Sequence, residues 1–303
     1  MKRLLAIALF LCCANMLWAQ SGTVLIDQLK SMIGKKRATV GVAMVFNGSE
    51  LMTINNQYRY PMLGVVKFHQ ALAVLDHVAK SDQTLETEVF VKKAMLRPGT
   101  HSPLRDNYPA GDFVITLTDL LRYSLSQSDN IASDVLYDYI GGPKVVQSYV
   151  EKLGVKDVSI ELTEAQVEKD EMNLFHNWCK PSSAVLMMET FLQNDLFPRP
   201  YKLFLERAMI ESPKSDNRLK ALLPEKEVLV AHKSGSSGRN EYGIKMGDND
   251  LGFVLLPNGA HYSIAVFIMN SYETDESNAA LIANISKAVY DYFVAHYGEK
   301  GVL

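Results

Sequence analysis

Four short stretches of this sequence carry side chains that could move protons and bind an anionic group. A lysine, a serine hydroxyl and a carboxylate can pass protons to and from a reacting group, and a second lysine beside hydroxyls can bind a carboxylate. In chain order, the stretches are Tyr60 to His69, which contains Lys67, then Ser128-Asp129-Asn130, then Glu164, then Lys233-Ser234-Gly235. These residue types can take part in general acid–base catalysis.

Each stretch has an ordinary structural explanation when it is taken alone. Ser128-Asp129-Asn130 precedes a helical pattern and could simply cap that helix. Glu164 lies in a run of acidic residues, and such a run usually forms a solvated face. The four stretches occur in order, each at a fitting secondary-structure position, and this combination argues against a chance match.

In these stretches the sequence resembles the class A serine β-lactamases, whose signature is Ser-x-x-Lys, Ser-Asp-Asn and Lys-Thr-Gly or Lys-Ser-Gly. The resemblance covers residues 22–297 and includes His101-Ser102-Pro103 before the second stretch. The loop TEAQVEKDEMNLFHNW, with Asn177-Trp178 at its end, is similar to that of the extended-spectrum cephalosporinase subgroup. The resemblance implies a β-lactam hydrolase that works through a serine acyl-enzyme.

The resemblance also implies a role for each matching residue. Lys67 would exchange a proton with the nucleophile one helical turn earlier, Ser128 would relay a proton to the departing lactam nitrogen, and Glu164 would activate the hydrolytic water. Asn130 would hold the side-chain amide of the substrate. The groups implied for the substrate's carboxylate and carbonyl oxygen are Lys233, Ser234, Gly235, Arg218 and the backbone N–H groups of Gly64 and Ser236.

Gly64 stands where that family has its nucleophilic serine, so the first motif reads Gly-Val-Val-Lys. One explanation is that Gly64 merely opens a helix, which glycine tolerates well. Loss of an ancestral serine accounts better for the other motif residues, either through a deliberate substitution or in a homologue that has lost the chemistry. We expect Lys67, Ser128, Glu164 and Lys233 to surround the space that the serine side chain would fill.

Glycine keeps its backbone N–H, so the sequence predicts a protein that binds β-lactams but forms no acyl-enzyme. Two other interpretations remain open at this stage. The first is a penicillin-binding transpeptidase or carboxypeptidase, which has the same kinds of motif, although the Glu164 loop argues against it. The second is a non-catalytic protein that binds β-lactams or cell-wall peptides.

Two positions depart from the family pattern besides Gly64. Glu168 lies where many members have an asparagine that helps to hold the water. It could disfavour ionisation of Glu164 by like-charge repulsion, or it could point to solvent without effect. His101 stands where an aromatic residue is often found, so the sequence does not determine how this position contacts the substrate.

The flanking patterns predict the elements that position these residues. Helical spacing predicts helices over 23–35, 65–80, 116–126, 130–140, 143–153, 182–194 and 276–296, and no strand pattern separates the middle ones. Apolar runs predict strands over 38–46, 49–55, 227–234, 250–256 and 261–269, with Asn47-Gly48 and Asn258-Gly259 as turns. Segment 156–181 is acidic and irregular, and loops of that length are usually functional.

This order predicts an α/β (α+β) fold: a five-stranded antiparallel sheet flanked by the terminal helices, with an inserted all-helical domain. We expect residues 20–60 and 212–303 to form the sheet domain and residues 61–211 the helical one. The site should lie in the crevice between them.

The first nineteen residues read as a cleaved signal peptide, with Lys2 and Arg3 before the apolar run LLAIALFL. This run is short for a membrane anchor, and bulky Leu11 before Cys12 makes a lipoprotein the weaker option. Cleavage after Ala19 removes two positive charges, which takes the formal net charge from −3 to −5. We therefore expect a periplasmic protein.

Composition narrows the function further. With 48% hydrophobic and 21% charged residues, the chain has an ordinary globular composition. A mildly acidic protein has no electrostatic case for binding nucleic acid, and no motif predicts a metal or another cofactor. Cys179 remains after cleavage and cannot form an internal disulfide; nothing pairs it with a particular histidine as a catalytic thiol. We expect a monomer.

Overall fold

The computed structural model describes residues 22–212 and 216–298. The predicted signal peptide, with Cys12 and Cys13, lies outside the described residues. Within the described part of the chain, no helix combines the length and the apolar character needed to cross a membrane.

A five-stranded antiparallel sheet forms the centre of the fold, as predicted. The strand order is β2-β1-β10-β9-β8, so strands from the two ends of the chain pair with each other. The long central strands are buried on both faces, which explains their nearly continuous apolar sequences. The strands are β1 (Thr39–Phe46), β2 (Glu50–Ile54), β8 (Leu229–Ser236), β9 (Lys245–Leu255) and β10 (His261–Ser271).

Two terminal helices cover one face of this sheet. They are α1 (22–33) and α10 (Asp275–Tyr297), which bury Leu29, Ile285 and Phe293 in the same apolar cluster as the β1 residues Val42 and Met44. The other face belongs to a second apolar cluster, which the helices of the central segment share. This arrangement confirms the predicted fold class.

The central segment contains most of the helices. They are α2 (Val66–Ala79), α3 (Pro103–Asn107), α4 (Leu117–Leu125), α5 (Asn130–Ile140), α6 (Pro143–Lys152), α7 (Glu164–Val167), α8 (Pro181–Gln193) and α9 (Arg199–Ile210). Helix α8 packs directly against β1 and β10. Helix α9 was not predicted from the sequence. Pro198 and Pro200 lie at its N-cap and in its first turn, where proline is compatible with a helix.

The central segment is mainly helical and also contains short strands that the sequence did not predict. Residues 61–211 also contain a hairpin of β4 (Glu88–Val91) and β5 (Phe113–Thr116), and the pair β6 (Val158–Ser159) and β7 (Trp178–Cys179). Strand β7 also pairs with β3 (Tyr60–Pro61). These strands have two to four residues, too few to give a readable alternating pattern. The proposed domain limits stay a prediction.

Strand β9 begins at Lys245 and not near Asp250, as its pattern suggested. Its first residues, KMGDN, contain three polar side chains and a glycine, yet Asp248 and Asn249 are fully buried. This polar start of β9 lies opposite Gly235 and Ser236 in the pairing with β8. It therefore belongs to the site and not to the general core.

Candidate active site

Gly64 lies in a single 3₁₀ turn, Leu63–Val65, that leads directly into helix α2. Leu63 has a positive φ of 51°, an uncommon backbone conformation for leucine. The turn approaches strand β8 so closely that a Cβ atom on Gly235 would lie 2.5 Å from the backbone nitrogen of Gly64. Only glycine at position 235 allows this contact between the turn and the strand.

Gly64 itself is equally close to the same strand. A Cβ atom there would lie 2.6 Å from the backbone oxygen of Ser234, 3.1 Å from Ser128 Oγ and 3.2 Å from Lys233 Nζ. Ser128 and Lys233 lie directly beside this position, and Lys67 and Glu164 line the same cavity as Gly64. The expected free space for a serine side chain is absent, because the backbone of β8 lies against the glycine.

Lys67 is buried in the first turn of α2, on the same side as Gly64. Its Nζ donates hydrogen bonds to Asn130 Oδ1 at 2.6 Å and to the Ser128 carbonyl oxygen at 2.9 Å. Glu164 Oε1 lies 3.3 Å from the same nitrogen. The lysine thus joins three of the four sequence stretches in one cluster.

Ser128 links the two lysines of the site. Its backbone oxygen accepts from Lys67, and its Oγ accepts a hydrogen bond of 2.9 Å from Lys233 Nζ. Ser128 has a positive φ of 56°, in the short connection between α4 and α5. Strained backbone of this kind persists where surrounding contacts fix it and is frequent at functional sites.

Lys233 is buried in β8 and is held by Ser128 Oγ and by its neighbour's backbone oxygen, Ser234 O, at 2.7 Å. Burial lowers the pKa of its ammonium group well below the ordinary range, and the positive charge of Lys67 lowers it further. Asp250 and Glu164 oppose this shift. Lys233 can therefore gain or lose a proton at a lower pH than an exposed lysine.

Asp129 fixes the connection that carries Ser128. It caps α5 by accepting a hydrogen bond of 2.8 Å from the Ala132 N–H. The motif therefore does cap the helix, and Asp129 is the capping residue. The same carboxylate also accepts from Ser102 Oγ at 2.9 Å and from the Leu104 N–H at 2.7 Å. It is completely buried and attaches α5 to the segment that follows His101.

Glu164 is the first residue of the short helix α7, and Asp134 of α5 determines its position. The carboxylate of Asp134 accepts from the Glu164 N–H at 2.8 Å and from the Ala165 N–H at 3.0 Å. Arg97 Nη1 donates to the same carboxylate at 2.6 Å. Asp134 and Arg97 were not singled out from the sequence, because an isolated aspartate inside a helix carries no local signal.

The surroundings of Asp134 raise its pKa from 3.8 to about 6. Burial is the main cause, and the negative charge of Glu164 adds to it, whereas Arg97 acts in the opposite direction. The anchor of α7 therefore changes its charge in the mildly acidic range.

Glu168 does not point freely into solvent, one of the two arrangements considered from the sequence. The effect of its charge on Glu164 stays a prediction. Its carboxylate pairs with Arg97, at 3.3 Å to Nε and 3.2 Å to Nη2, and it accepts a hydrogen bond of 3.2 Å from Asn130 Nδ2. The Thr100 hydroxyl also donates to it. The side chain is tied to the pocket wall and is not simply solvated.

Arg218 lies beside strands β8 and β9, with only 9% of its surface exposed. It pairs with the buried carboxylate of Asp248. It also donates to the backbone oxygens of Asn249 at 2.8 Å and Gly235 at 3.2 Å. The charge of Arg218, which was expected to bind an anion, is therefore already partly neutralised by Asp248. This aspartate was not singled out from the sequence.

A cavity of about 360 Å³ brings the predicted residues together. Lys233 does not line it and lies behind the wall formed by Ser128 and Ser234. The lining residues that the sequence predicted are Gly64, Lys67, His101, Ser128, Asn130, Glu164, Glu168, Arg218, Ser234, Gly235 and Ser236. Within residues 22–212 and 216–298, no group of histidine, cysteine and acidic side chains could hold a metal ion.

Cys179 is unsuited to catalysis, as expected. It is fully buried in β7, and burial raises the pKa of its thiol, so the reactive thiolate does not form at neutral pH.

Nearby, Asn177 has a structural function. Its Oδ1 accepts from the Glu161 and Leu162 N–H groups at 2.8 and 3.0 Å and closes the base of the loop that carries Glu164.

Comparison with known proteins places this site in a family. Residues 24–293 match the family described as the Beta-lactamase enzyme family. A β-lactamase of Bacteroides uniformis is 42% identical over 286 residues, which are 94% of this chain and 96% of the relative.

Two solved structures are similar over nearly the same region. A class A β-lactamase of Bacteroides cellulosilyticus is 44% identical with a TM-score of 0.86, over 89% of this chain and 97% of the other. A serine-to-glycine variant of the TLA-1 extended-spectrum β-lactamase is 40% identical with a TM-score of 0.85, over 88% of this chain and 99% of the other. This chain belongs to the class A β-lactamase family.

Proposed function

We propose that this chain binds β-lactams in the cavity beside Gly64 and does not form an acyl-enzyme. Membership of the family supports β-lactam hydrolysis as the ancestral reaction. The observation that carries the proposal is the arrangement around Gly64, where a complete set of proton-transfer and anion-binding groups faces a residue without a side chain. Val65 and Val66 beside it cannot attack a carbonyl group either.

The roles of the remaining groups follow from their positions. Ser234, Ser236 and Arg218 line the cavity and would bind the substrate's carboxylate, with Lys233 adding positive charge from behind the wall. The backbone N–H groups of Gly64 and Ser236 would receive the carbonyl oxygen of the lactam. None of these groups depends on the missing hydroxyl, so reversible binding should survive.

The position of Glu164 supports a hydrolytic role for this residue. Glu164 Oε1 lies 3.3 Å from Lys67 Nζ and faces the cavity, where it would act as the base for water. This carboxylate favours a hydrolase origin over a penicillin-binding peptidase, because it supplies the base that releases an acyl group. Residual turnover would proceed by direct attack of water that Glu164 activates.

Two measurements on the purified chain test the proposal. Calorimetry with a cephalosporin should give saturable binding, and intact-mass analysis with a slowly hydrolysed β-lactam should show only the unmodified mass. A covalent adduct would contradict the proposal, and so would the absence of any binding. Preferential binding of muropeptides over cephalosporins would favour a cell-wall-peptide binding protein.

We further propose that the mature protein is a periplasmic monomer, exported through the segment 1–19. The family relationship and the pattern of that segment support export. Size-exclusion chromatography with light scattering and N-terminal sequencing of the secreted product would test both points. A dimer, or retention of residues 1–19, would contradict them.

A further inference from the structure

Helix α7, which carries Glu164, has little apolar packing to hold it in place. It consists of four residues, and none of them is buried. Asn177 bonds to the backbone N–H groups of Glu161 and Leu162, which precede the helix. Because a helix this short is marginal in water without tertiary contacts, the polar contacts of α7 with the rest of the chain determine where Glu164 lies.

Arg97 is attached to both ends of this helix. At the N-terminal end, its Nη1 donates to Asp134 at 2.6 Å, and Asp134 accepts from the Glu164 and Ala165 N–H groups. At the C-terminal end, its Nε and Nη2 donate at 3.3 and 3.2 Å to the carboxylate of Glu168, the C-cap residue of α7. One guanidinium group therefore holds both ends of the helix.

The backbone of Arg97 is itself held by hydrogen bonds. Arg105 Nη1 donates to the Arg97 carbonyl oxygen at 2.8 Å and to that of Thr100 at 2.9 Å. The Arg97 N–H donates to the Met95 carbonyl oxygen at 2.9 Å. Arg105 belongs to α3, so the guanidinium group reaches α7 from a part of the chain outside segment 156–181.

Arg97 also offsets the negative charge around α7, where Asp134, Glu164 and Glu168 bring their carboxylates together. The charge of Glu164 raises the pKa of Asp134, whereas Arg97 lowers it. The side chain of Asp134 is only 9% exposed, so loss of Arg97 would leave a buried charge without its partner. The carboxylate would then take up a proton more readily and would bind the two N–H groups less strongly.

We propose that Arg97 is a positioning residue that holds Glu164 where it can activate water. This inference rests on the proposed function, which makes Glu164 the base for that water. Glu164 lines the cavity, whereas Arg97 does not, so Arg97 would act through the position of α7 and not through contact with the substrate. A misplacement of about 1 Å can cost a catalytic group on the order of a hundredfold in rate.

The first test measures turnover of a chromogenic cephalosporin by the Gly64→Ser chain with and without Arg97→Ala. Once the attack of water on the acyl-enzyme limits turnover, a slower attack lowers kcat and KM by the same factor and leaves kcat/KM unchanged. We expect kcat to fall about 10- to 100-fold in this way. Arg97→Lys keeps the charge and should restore part of the loss. A fall in kcat/KM at constant kcat would overturn the inference.

Arg122→Ala is the matched control for the loss of one positive charge. Arg122 is an exposed arginine of α4 whose guanidinium group lies over the ring of Phe204. Its removal should leave kcat and KM of the Gly64→Ser chain unchanged. A loss of kcat as large as that of Arg97→Ala would overturn the inference, because a general charge effect would then explain both.

The second test uses the chain without the serine and needs no turnover. In Arg97→Ala, the backbone N–H groups of Glu164 and Ala165 should exchange with solvent about 10-fold faster, the effect of losing one hydrogen bond to a charged group. The N–H groups of Glu161 and Leu162 should keep their exchange rates. Unchanged exchange at Glu164 and Ala165, or equal acceleration at all four residues, would overturn the inference.

Glu164→Ala in the Gly64→Ser chain distinguishes failure of the inference from failure of the proposed function. If this variant keeps full turnover, Glu164 is not the base, and the proposed role and the inference are both wrong. If it abolishes turnover, whereas Arg97→Ala changes neither kcat nor amide exchange, the inference alone is wrong. The conservative Arg97→Gln variant keeps both measurements possible should Arg97→Ala fail to fold.

Discussion

The backbone oxygen of Ser234 lies 2.6 Å from the point where a Cβ atom on Gly64 would be. Real Cβ atoms do not approach a backbone oxygen this closely, so any side chain at position 64 requires β8 or the 3₁₀ turn to move. The glycine therefore lets the two sides of the cleft come closer together than a residue with a side chain would allow.

Gly64→Ser should restore acylation. The new hydroxyl would lie one helical turn before Lys67 and close to Ser128 Oγ, the groups that can accept and relay its proton. Removing the nucleophile of a serine hydrolase costs on the order of a millionfold in turnover, so we expect a gain approaching that size. Hydrolysis of a chromogenic cephalosporin and the mass of the acyl-enzyme would measure it.

Gly64→Ala is the matched control for this substitution. It adds the same Cβ atom without the hydroxyl, so it should remain free of adduct. Both variants should lose about 1–3 kcal/mol of stability in urea unfolding, because the crowded backbone must shift. Turnover by the alanine variant at the level of the serine variant would contradict an acyl-enzyme mechanism.

The binding of anionic β-lactams should weaken as the pH rises, at a pH below that expected for an ordinary lysine. Burial and the charge of Lys67 lower the pKa of Lys233. Lys233 is positively charged below its pKa, so raising the pH removes a charge that attracts the substrate's carboxylate. We expect the Kd to rise about tenfold across this transition, because the attraction between one buried positive charge and the carboxylate is lost. Calorimetry between pH 6 and 10 would follow it.

The methyl ester of the same ligand separates this effect from other titrations, because it lacks the carboxylate. Its Kd should change little over the same range. Lys233→Arg should also flatten the profile of the acid, because arginine stays charged throughout. An identical pH profile for the acid and the ester would rule out Lys233 as the source.

The stability of the protein should depend on pH through Asp134. Its pKa in the folded protein is raised from 3.8 to about 6, so the folded state binds more protons than the unfolded state between these values. Its contribution to the free energy of unfolding is fully present below pH 3.8 and is lost as the pH rises through 6. The free-energy difference between the parent and Asp134→Asn should therefore fall between pH 4 and 6, by up to about 3 kcal/mol.

Urea unfolding of both proteins at several pH values would measure this difference. Asparagine keeps an acceptor for the Glu164 N–H, which limits other structural change. A difference that grows with pH would mean that the ion pair with Arg97 outweighs the cost of burial.

The sequence predicted the residues that lie in contiguous motifs. Lys67, Ser128, Asn130 and Glu164 could be assigned because their spacing and their neighbours repeat a known pattern. The sheet followed from apolar runs that are long enough to show their period. These signals are local, so they can be read without knowing which segments meet.

The residues that hold the site in place could not be found in this way. Asp134 acts through the Glu164 N–H, thirty residues away in the chain, and Asp248 acts through Arg218, also thirty residues away. Each is an acidic residue inside a regular element and outside any recognisable motif, and its function depends on its partner in the folded protein. The approach of Ser234 to Gly64 depends on how two halves of the chain pack, which no motif encodes.

The pair of Arg218 and Asp248 should show strong thermodynamic coupling. Asp248 is fully buried, so Arg218→Ala would leave an uncompensated charge and should cost about 3–5 kcal/mol in the free energy of unfolding. Burial already raises the pKa of Asp248, and Arg218 opposes that shift. The cost of Arg218→Ala should therefore shrink at low pH, where Asp248 can take up a proton.

The double variant Arg218→Ala with Asp248→Asn should be much less unstable than the sum of the two single variants, because it removes both charges. Urea unfolding of the four proteins at pH 7 gives the coupling energy, which we expect to exceed about 1 kcal/mol. Additive effects would show that Arg218 is held mainly by the backbone oxygens of Gly235 and Asn249. In that case Arg218 would remain available to a substrate's carboxylate without competition from Asp248.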